Sequence, residues 1–273
     1  MQKKAAVIND FASFGRCSLA VAIPILAAMK VQCCAVPTAI FTNHTGYPSF
    51  SWTDYTAHMD DYIREWCRLG LTFDAVQTGF LGSTEQIDFI FRFLDAFRRP
   101  DMIVVVDPVM GDYGRLYATY SAALAKSLRR LLSVADILTP NLTEACVLAG
   151  CDYESEISDA GLERIARALH EPHGAKVVIT GVPRGEAFVN FGFDGKGAPF
   201  VHAEPRIGED RSGTGDVFSS VILGDAVNGV GFAESVAHAS RFVAKAVRRS
   251  VELSVPLKDG LAIEEVLGDL IAR

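Results

Sequence analysis

The residues MIVVV at 102–106, followed directly by DPVMGD at 107–112, decide the fold. Five consecutive apolar residues, three of them valine, are typical of a strand that is buried on both faces of a parallel sheet. The apolar run ends at Asp107, and a proline and a glycine then fix and bend the backbone before Asp112. The segment therefore predicts a central strand with two carboxylates beyond its carboxyl end.

The rest of the chain alternates between strand-like and helix-like patterns. Apolar runs that end in polar or glycine residues predict strands at residues 5–9, 33–41, 73–78, 136–139, 176–180, 186–191 and 198–203. Apolar residues at helical spacing predict helices at residues 15–29, 54–69, 84–97, 121–132, from 143 onward, 161–169, 215–227, 232–248 and 263–271. This alternation indicates an α/β fold with a mostly parallel central sheet and helices on both faces, a three-layer αβα arrangement. No linker or internal repeat interrupts it, so we predict a single domain over residues 1–273.

The composition excludes several classes of protein. The chain has 273 residues, of which 49% are hydrophobic and 22% charged, which are ordinary values for a globular protein. A net charge of -7 argues against binding to nucleic acid or to an anionic membrane by bulk charge. The longest apolar run, Leu19–Met29, is too short to span a bilayer and contains Pro24.

The N-terminus and the cysteines predict a cytoplasmic protein. Lys3 and Lys4 are followed by only four apolar residues, a run too short for a signal peptide. The six cysteines form no CxxC motif, so we expect free thiols in a reducing compartment.

A glycine-rich segment, SGTGD at residues 212–216, precedes an apolar helix. Glycines allow backbone amides to point into one concavity, and a helix N-terminus adds partial positive charge, so the segment could hold an anion. Asp216 could then accept a proton from an attacking hydroxyl group. The alternative is an ordinary helix start with an acid in its first turn. The segment is not a P-loop, because GxxxxGK[ST] occurs nowhere in the chain.

The pair Asp107 and Asp112 has two interpretations. Ligands of open parallel sheets bind beyond the carboxyl ends of the strands, and two carboxylates there could hold Mg²⁺ while the metal bridges phosphates. The alternative is a turn that Asp side chains close by hydrogen bonds to the backbone.

The segment TPNLTE at residues 139–144 also leads from a strand end into a helix. Asn141 or Thr143 could be a plain N-cap, with Glu144 in the first turn. The functional alternative places Asn141 and Glu144 at the metal-bound phosphates of a nucleotide.

Taken together, these motifs resemble the ribokinase superfamily. More narrowly, the chain is similar to its vitamin B6 branch, the pyridoxal/pyridoxamine kinases, over roughly residues 5–250. The resemblance rests on blocks that occur in the right order: IND to FGR at 8–16, FTNHTGY at 41–47, TGFLG at 78–82, DPVMGD at 107–112, TPNLTEA at 139–145 and GTGD at 213–216.

The resemblance implies an ATP-dependent kinase that phosphorylates the 5′-hydroxymethyl group of pyridoxal, pyridoxamine or pyridoxine. Asp216 would be the base that activates this group. The anion hole for the transferring γ-phosphoryl group would be formed by Gly213, Thr214 and Gly215.

The resemblance also implies the binding residues and cofactors. The substrate ring would be bound by Asp10, Phe41, Thr45 and Phe80. The nucleotide would be bound by Asp112, Asn141, Glu144 and Thr180, with residues 113–120 as a lid. Mg²⁺ and a monovalent cation, K⁺ or Na⁺, would lie near Asp107, Thr139 and Glu144. The habit of the family further suggests a homodimer.

One departure from the family pattern concerns Asp10, where many members carry serine. A carboxylate there could pair with a protonated ring nitrogen or with the amine of pyridoxamine. It also leaves room for another hydroxymethyl heterocycle, so a hydroxymethylpyrimidine kinase of thiamine synthesis is an alternative. A non-enzymatic carrier of pyridoxal phosphate is another, although a carrier would not need a base such as Asp216.

Overall fold

The computed structural model describes residues 2–271 as one central sheet with helices on both sides. The strands are β1 (Lys3–Ala12), β2 (Val31–Phe41), β3 (Trp52–Asp54), β4 (Ala75–Thr78), β5 (Ile103–Val106), β6 (Gly111–Asp112), β7 (Arg115–Leu116), β8 (Ile137–Leu138), β9 (Lys176–Arg184), β10 (Ala187–Phe193) and β11 (Phe200–Pro205). The α-helices are α1 (Ser18–Ala28), α2 (Thr56–Arg68), α3 (Thr84–Phe97), α4 (Ala122–Ser127), α5 (Leu142–Ala149), α6 (Asp159–His170), α7 (Thr214–Val227), α8 (Phe232–Glu252) and α9 (Gly268–Ile271).

The large sheet has the strand order β11-β10-β9-β8-β5-β4-β1-β2-β3. Its six inner strands, from β9 to β2, are parallel to one another. Antiparallel strands extend it at both edges: β10 and β11 beyond β9, and β3 beyond β2. The prediction of a mostly parallel α/β sheet is confirmed, and β5 lies near its centre as expected.

Both faces of the sheet are covered, because side chains of the inner strands alternate between two cores. In β5, Val104 and Val106 pack into the core under α2 to α6, whereas Val105 packs against α1, α7 and α8. All three valines are almost completely buried. Burial of apolar surface stabilises a fold by roughly 25 cal/mol per Å² removed from water, so burial on both faces of the sheet is the main force that holds the three layers together.

Two predicted helices differ from the observed ones. The helix predicted over residues 121–132 ends as α4 at Ser127 and continues as a 3-10 turn, Leu128–Ser133. The helix predicted over residues 263–271 is broken into a 3-10 turn, Ile263–Glu265, and the short α9. The break falls at Val266 and Leu267, and Gly268 is the first residue of α9.

Two short features of the structure were not predicted from the sequence. Strand β3 has only three residues, all exposed, so it carries no apolar signal. The hairpin of β6 and β7 turns at Tyr113 and Gly114, which both have positive φ, the geometry of a two-residue hairpin turn.

The remaining expectations concern the cysteines and the membrane. All six cysteines are free thiols, as predicted. Within residues 2–271, no helix has the length and apolar character needed to cross a membrane.

Candidate active site

One cavity of about 320 Å³ opens at the carboxyl edge of the parallel strands, beside the N-terminus of α7. Its volume is within the range of small-molecule sites. Ten residues that the sequence analysis singled out line this cavity: Asp107, Asp112, Thr139, Asn141, Glu144, Thr180, Gly213, Thr214, Gly215 and Asp216. Topology therefore brings together segments that lie far apart in the sequence.

Gly213 shapes the start of α7. It is the N-cap residue, its φ is +83°, and a Cβ there would lie 2.0 Å from the carbonyl oxygen of Arg16. Both the conformation and the close approach require glycine. The first amides of α7 have no intrahelical partner, and the helix dipole adds positive charge, so this end of the helix can bind an anion.

Asp216 lies in the first turn of α7, beside these amides. Its Oδ1 accepts a hydrogen bond from Asn9 Nδ2 at 3.2 Å. Burial raises the pKa of Asp216, while hydrogen bonds from the Ser18 amide and from Asn9 act in the opposite direction. A carboxylate with a raised pKa binds a proton more readily, as a general base must.

Asp107 and Glu144 are both buried near the carboxyl ends of β5 and β8. Burial, together with the charge of Asp216, raises the pKa of Asp107 to about 7. Burial and the charge of Asp107 raise the pKa of Glu144. Two acids that disfavour each other's charge are stabilised by a bound cation.

Asn141 and Glu144 form a capping box at the start of α5. Asn141 Oδ1 accepts from the Glu144 amide at 3.0 Å, and Glu144 Oε2 accepts from the Asn141 amide at 2.9 Å. Glu144 Oε1 accepts from the Met110 amide at 3.0 Å, and Asn141 Nδ2 donates to the Gly111 carbonyl at 2.8 Å. The N-cap interpretation of Asn141 is thus confirmed. The box also ties α5 to the segment after β5.

The hairpin of β6 and β7 lies over one side of the cavity and overlaps the start of the segment 113–120 that was predicted as a lid. The Gly114 amide donates to Thr143 Oγ1 at 2.8 Å, and the Tyr113 hydroxyl donates to Asp210. Tyr113 and Asp210 both line the cavity, so their contact joins its two rims.

The sequence analysis did not predict the apolar part of the cavity. It is formed by Pro183, Phe188, Pro205, Ile207, Val243 and Val247. Polar groups beside it are paired within the protein: Asn190 accepts from the Gly181 amide and donates to the Ser240 hydroxyl. A heterocyclic base could lie against these apolar walls, and no local motif signals them because they come from three distant segments.

The four predicted substrate residues are not among those that line this cavity. Asp10 is buried beside it: its Oδ1 accepts from the Ser18 hydroxyl at 2.5 Å, and burial raises its pKa to about 7. Phe41 and Phe80 are buried and contact each other edge to face at 5.9 Å between ring centroids. Thr45 is exposed on the loop after β2.

His44 and Tyr47 hold this loop against the C-terminal part of the chain. His44 Nδ1 accepts from the Gly46 amide, so its Nε2 donates to the Lys258 carbonyl at 2.6 Å. The Tyr47 hydroxyl donates to Asp259 Oδ1 at 2.6 Å. These contacts give both residues a scaffolding role.

Comparisons with known proteins identify the family of this chain. The phosphomethylpyrimidine kinase family model matches residues 23–257. A Bacteroides thetaiotaomicron protein assigned as a phosphomethylpyrimidine kinase, solved in a crystal form with pyridoxal, is 36% identical, with a TM-score of 0.95 over 99% of this chain and 96% of its own. Pyridoxal kinase from Lactobacillus plantarum is 30% identical, with a TM-score of 0.92 over 100% of this chain and 98% of its own.

A plant relative is also similar. The chloroplastic thiamine biosynthetic bifunctional enzyme of Arabidopsis thaliana is 32% identical over 85% of this chain, and the chain spans only 44% of that protein's length. The family match covers most of the chain and both solved structures cover nearly all of it. The chain therefore belongs to the phosphomethylpyrimidine kinase family, a ribokinase-like group of kinases that has pyridoxal kinases among its members.

Proposed function

We propose that this protein transfers the γ-phosphoryl group of ATP to the 5′-hydroxymethyl group of pyridoxal, pyridoxamine or pyridoxine. One observation carries the proposal: Asp216 lies beside the glycine-led N-terminus of α7, in the same cavity as the groups assigned to the nucleotide. The solved relative with pyridoxal supports a B6 vitamer as the acceptor.

Asp216 would act as the general base. It takes the proton of the substrate hydroxyl as that oxygen attacks phosphorus, and its raised pKa favours this step. Gly213, Thr214 and Gly215 would stabilise the charge on the transferring phosphoryl group with backbone amides. Phosphoryl transfer depends mainly on positioning and on charge neutralisation, which these amides would supply, and proton removal by Asp216 would add to it.

The nucleotide would occupy the cavity between these amides and its apolar wall. Asn141 and Thr180 lie side by side at the strand ends, where the Thr180 amide donates to the Pro140 carbonyl at 2.9 Å. Together with Asp112 on the hairpin, they are the groups that we assign to the phosphates and their metal.

Mg²⁺ fits the donor set, which consists of oxygen atoms only. Asp107 and Glu144 supply carboxylates, and Thr139 supplies a buried hydroxyl beside Asp107. Across the described part of the chain, no three His, Cys, Asp or Glu side chains form a metal-binding group. Two carboxylates suit Mg²⁺, which usually keeps water and substrate phosphates as its other ligands. When bound, the ion neutralises charge on the phosphates.

A monovalent cation, K⁺ or Na⁺, is the second ion in the proposal. The Thr139 hydroxyl and the buried, unpartnered Thr78 hydroxyl are neutral oxygen donors of the kind that such an ion takes. We further propose that residues 1–273 act as one kinase domain, as a homodimer, in the cytoplasm.

A hydroxymethylpyrimidine kinase of thiamine synthesis is the second candidate. The family match and the plant thiamine relative favour it. Both candidates use the same base and anion hole, so they differ only in the ring that is bound. A non-enzymatic carrier of pyridoxal phosphate would leave the position of Asp216 without a role.

The test is ADP release by the purified protein with MgATP and each ring compound in turn, with the product identified by mass. The proposal expects the highest kcat/KM with one of the three B6 vitamers and a phosphorylated vitamer as product. A higher kcat/KM with hydroxymethylpyrimidine would select the second candidate. ADP release that does not depend on any acceptor would contradict both.

A further inference from the structure

Asn9 lies between the carboxyl end of β1 and the first turn of α7. Its side chain is buried, and its Nδ2 donates to Asp216 Oδ1 at 3.2 Å. The two residues are 207 positions apart in the sequence, so the contact is a product of the fold.

The orientation of the Asn9 amide is fixed by two other hydrogen bonds. Its Oδ1 accepts from the Asp10 amide at 2.9 Å and from the Phe80 amide at 2.7 Å. A flipped side chain would set its NH₂ group against two backbone donors and its oxygen against the Asp216 carboxylate. The NH₂ group is therefore committed to Asp216.

Gly79 provides the space for this arrangement. A Cβ at Gly79 would lie 2.3 Å from Asn9 Cγ and 2.4 Å from both Nδ2 and Oδ1. The φ of Gly79 lies outside the left-handed region, so an alanine could adopt its backbone conformation. Position 79 therefore needs a glycine because the Asn9 side chain fills the space of a Cβ, and not because the backbone turns there.

Ser18 complements Asn9 on the other side. Its backbone amide bonds to Asp216 and its hydroxyl donates to Asp10 at 2.5 Å. Ser18 holds a φ of +53°, a strained conformation for a residue other than glycine. Strain that persists at a site is a sign that the surrounding structure fixes the geometry of that site.

We propose that Asn9 is a positioning residue that orients the Asp216 carboxylate for proton transfer, and that Gly79 keeps the space in which Asn9 does so. The inference rests on the proposed function, because it concerns the base of that reaction. Neither residue belongs to the glycine-rich segment, the metal-binding acids or the predicted substrate residues.

The substitution Asn9→Asp separates positioning from a purely structural role. Aspartate has the same shape and still accepts from the amides of Asp10 and Phe80, but its second oxygen faces Asp216. When ionised it repels that carboxylate instead of donating to it, and when protonated it shares its proton with the base, so the neutral donor that leaves Asp216 ionised is lost in both forms. We expect kcat to fall roughly 10- to 100-fold, the effect of losing a hydrogen bond to a charged group. The KM for MgATP should not change, because the groups assigned to the nucleotide lie on other strands.

The substitution Gly79→Ala tests the same inference without altering any polar group. Its Cβ should displace Asn9 and lower kcat in the same direction as Asn9→Asp. In an Asn9→Ala background, however, Gly79→Ala should change kcat much less, because the clash is gone; residues in contact are not additive. Asn228→Ala is the control, since it removes a hydrogen bond to the Met29 carbonyl at the opposite end of α7.

The measurement is steady-state kinetics of the single and double variants, with thermal unfolding as a check that each is folded. Reduced kcat in Asn9→Asp and Gly79→Ala, with a non-additive double variant and an active Asn228→Ala, supports the inference. Wild-type kcat in Asn9→Asp, or a fully multiplicative double variant, would overturn it while leaving the proposed function intact. A wild-type protein without phosphoryl transfer would instead overturn both.

Discussion

The surroundings of Asp216 act on its pKa in opposite directions. The charge of Asp216 raises the pKa values of Asp10, Asp107, Cys17 and Tyr117, whereas His44 lowers the pKa of Asp216 itself. The Ser18 amide and Asn9 also stabilise the charged carboxylate. Burial thus raises the pKa of Asp216, and these hydrogen bonds limit the rise.

Asp10 should distinguish between the B6 vitamers. A buried carboxylate is costly unless it is paired, and the amine of pyridoxamine or a protonated ring nitrogen could pair with it. We predict that Asp10→Ser lowers kcat/KM for pyridoxamine more than for pyridoxal, by roughly 10- to 150-fold, the value of one charge-assisted hydrogen bond. Parallel kinetics on the three vitamers are the measurement, with Asp10→Asn as the shape-matched control.

The outcome of that series also tests the alternative contact. If Asp10 pairs with the ring nitrogen, all three vitamers should lose the same factor, because they share that atom. Unchanged kinetics with all three would show that Asp10 does not touch the substrate.

Site residues could be predicted from the sequence where the residues that form a motif are close together in the chain. GTGD, DPVMGD and TPNLTE each carry their signal within a few residues, and all three line the cavity. Asn9 carries no such signal, since its partner Asp216 and its spacer Gly79 are distant in the sequence. Its place next to Asp10 at a strand end was the one available hint.

At the scale of elements, α5 connects structure with metal binding. Its capping box uses both oxygens of Glu144 to accept backbone amides, those of Asn141 and Met110. The same carboxylate is assigned to the metal and its nucleotide. Substitution of Glu144 should therefore change stability and metal dependence together.

We predict that Glu144→Ala raises the Mg·ATP requirement more than the KM for the vitamer. It should also lower the free energy of unfolding by about 1–3 kcal/mol, because buried amides lose their acceptor. Glu144→Gln keeps one of the two acceptor oxygens but sets an NH₂ group against the other backbone amide, so it should recover only part of this stability while still losing Mg·ATP affinity. Titrations of MgCl₂ at fixed ATP and urea unfolding check both parts. Equal Mg·ATP requirements in wild type and Glu144→Ala would contradict the metal assignment.

Helices and strands could be predicted where apolar residues recur along them at regular spacing. Helix α3 was predicted with its observed bounds over residues 84–97, because apolar side chains recur along it at helical spacing; in the structure Ser83 caps its start. The exposed β3 was not predicted, because an edge strand of three residues leaves almost no trace in the sequence. The break before α9 was not predicted either, because the helical spacing of apolar residues continues across it.

For the whole molecule, the buried acids link stability to pH and to metal. The pKa of Asp107 is raised to about 7 and that of Glu144 is also raised, whereas such carboxyls titrate near pH 4 in an unfolded chain. Because the folded pKa values are higher, protonation stabilises the fold. For Asp107 this contribution is present below about pH 4 and is lost as the pH rises through about 7, and the raised pKa of Glu144 acts in the same direction.

We predict that MgCl₂ raises the Tm more at about pH 8 than at about pH 5.5, because at the lower pH protons compete for the same carboxylates. A difference of at least about 2 °C corresponds to about 1 kcal/mol in a chain of this length. The Asp107→Asn variant should show a smaller difference. Thermal unfolding at both pH values, with NaCl at matched ionic strength as the control, is the measurement. An equal Mg²⁺ effect at both pH values would count against an ion at these acids.

The most direct test of the central claim is a single-turnover reaction of enzyme in excess over pyridoxal, with MgATP, followed by mass analysis of the ring compound. Wild-type protein should convert pyridoxal to its 5′-phosphate with one ADP per product. Asp216→Asn should bind both substrates but form product at least ~10²-fold more slowly, the low end for removal of a general base. Product formation at the wild-type rate in Asp216→Asn, or ADP from wild type without phosphorylated pyridoxal, would contradict the account.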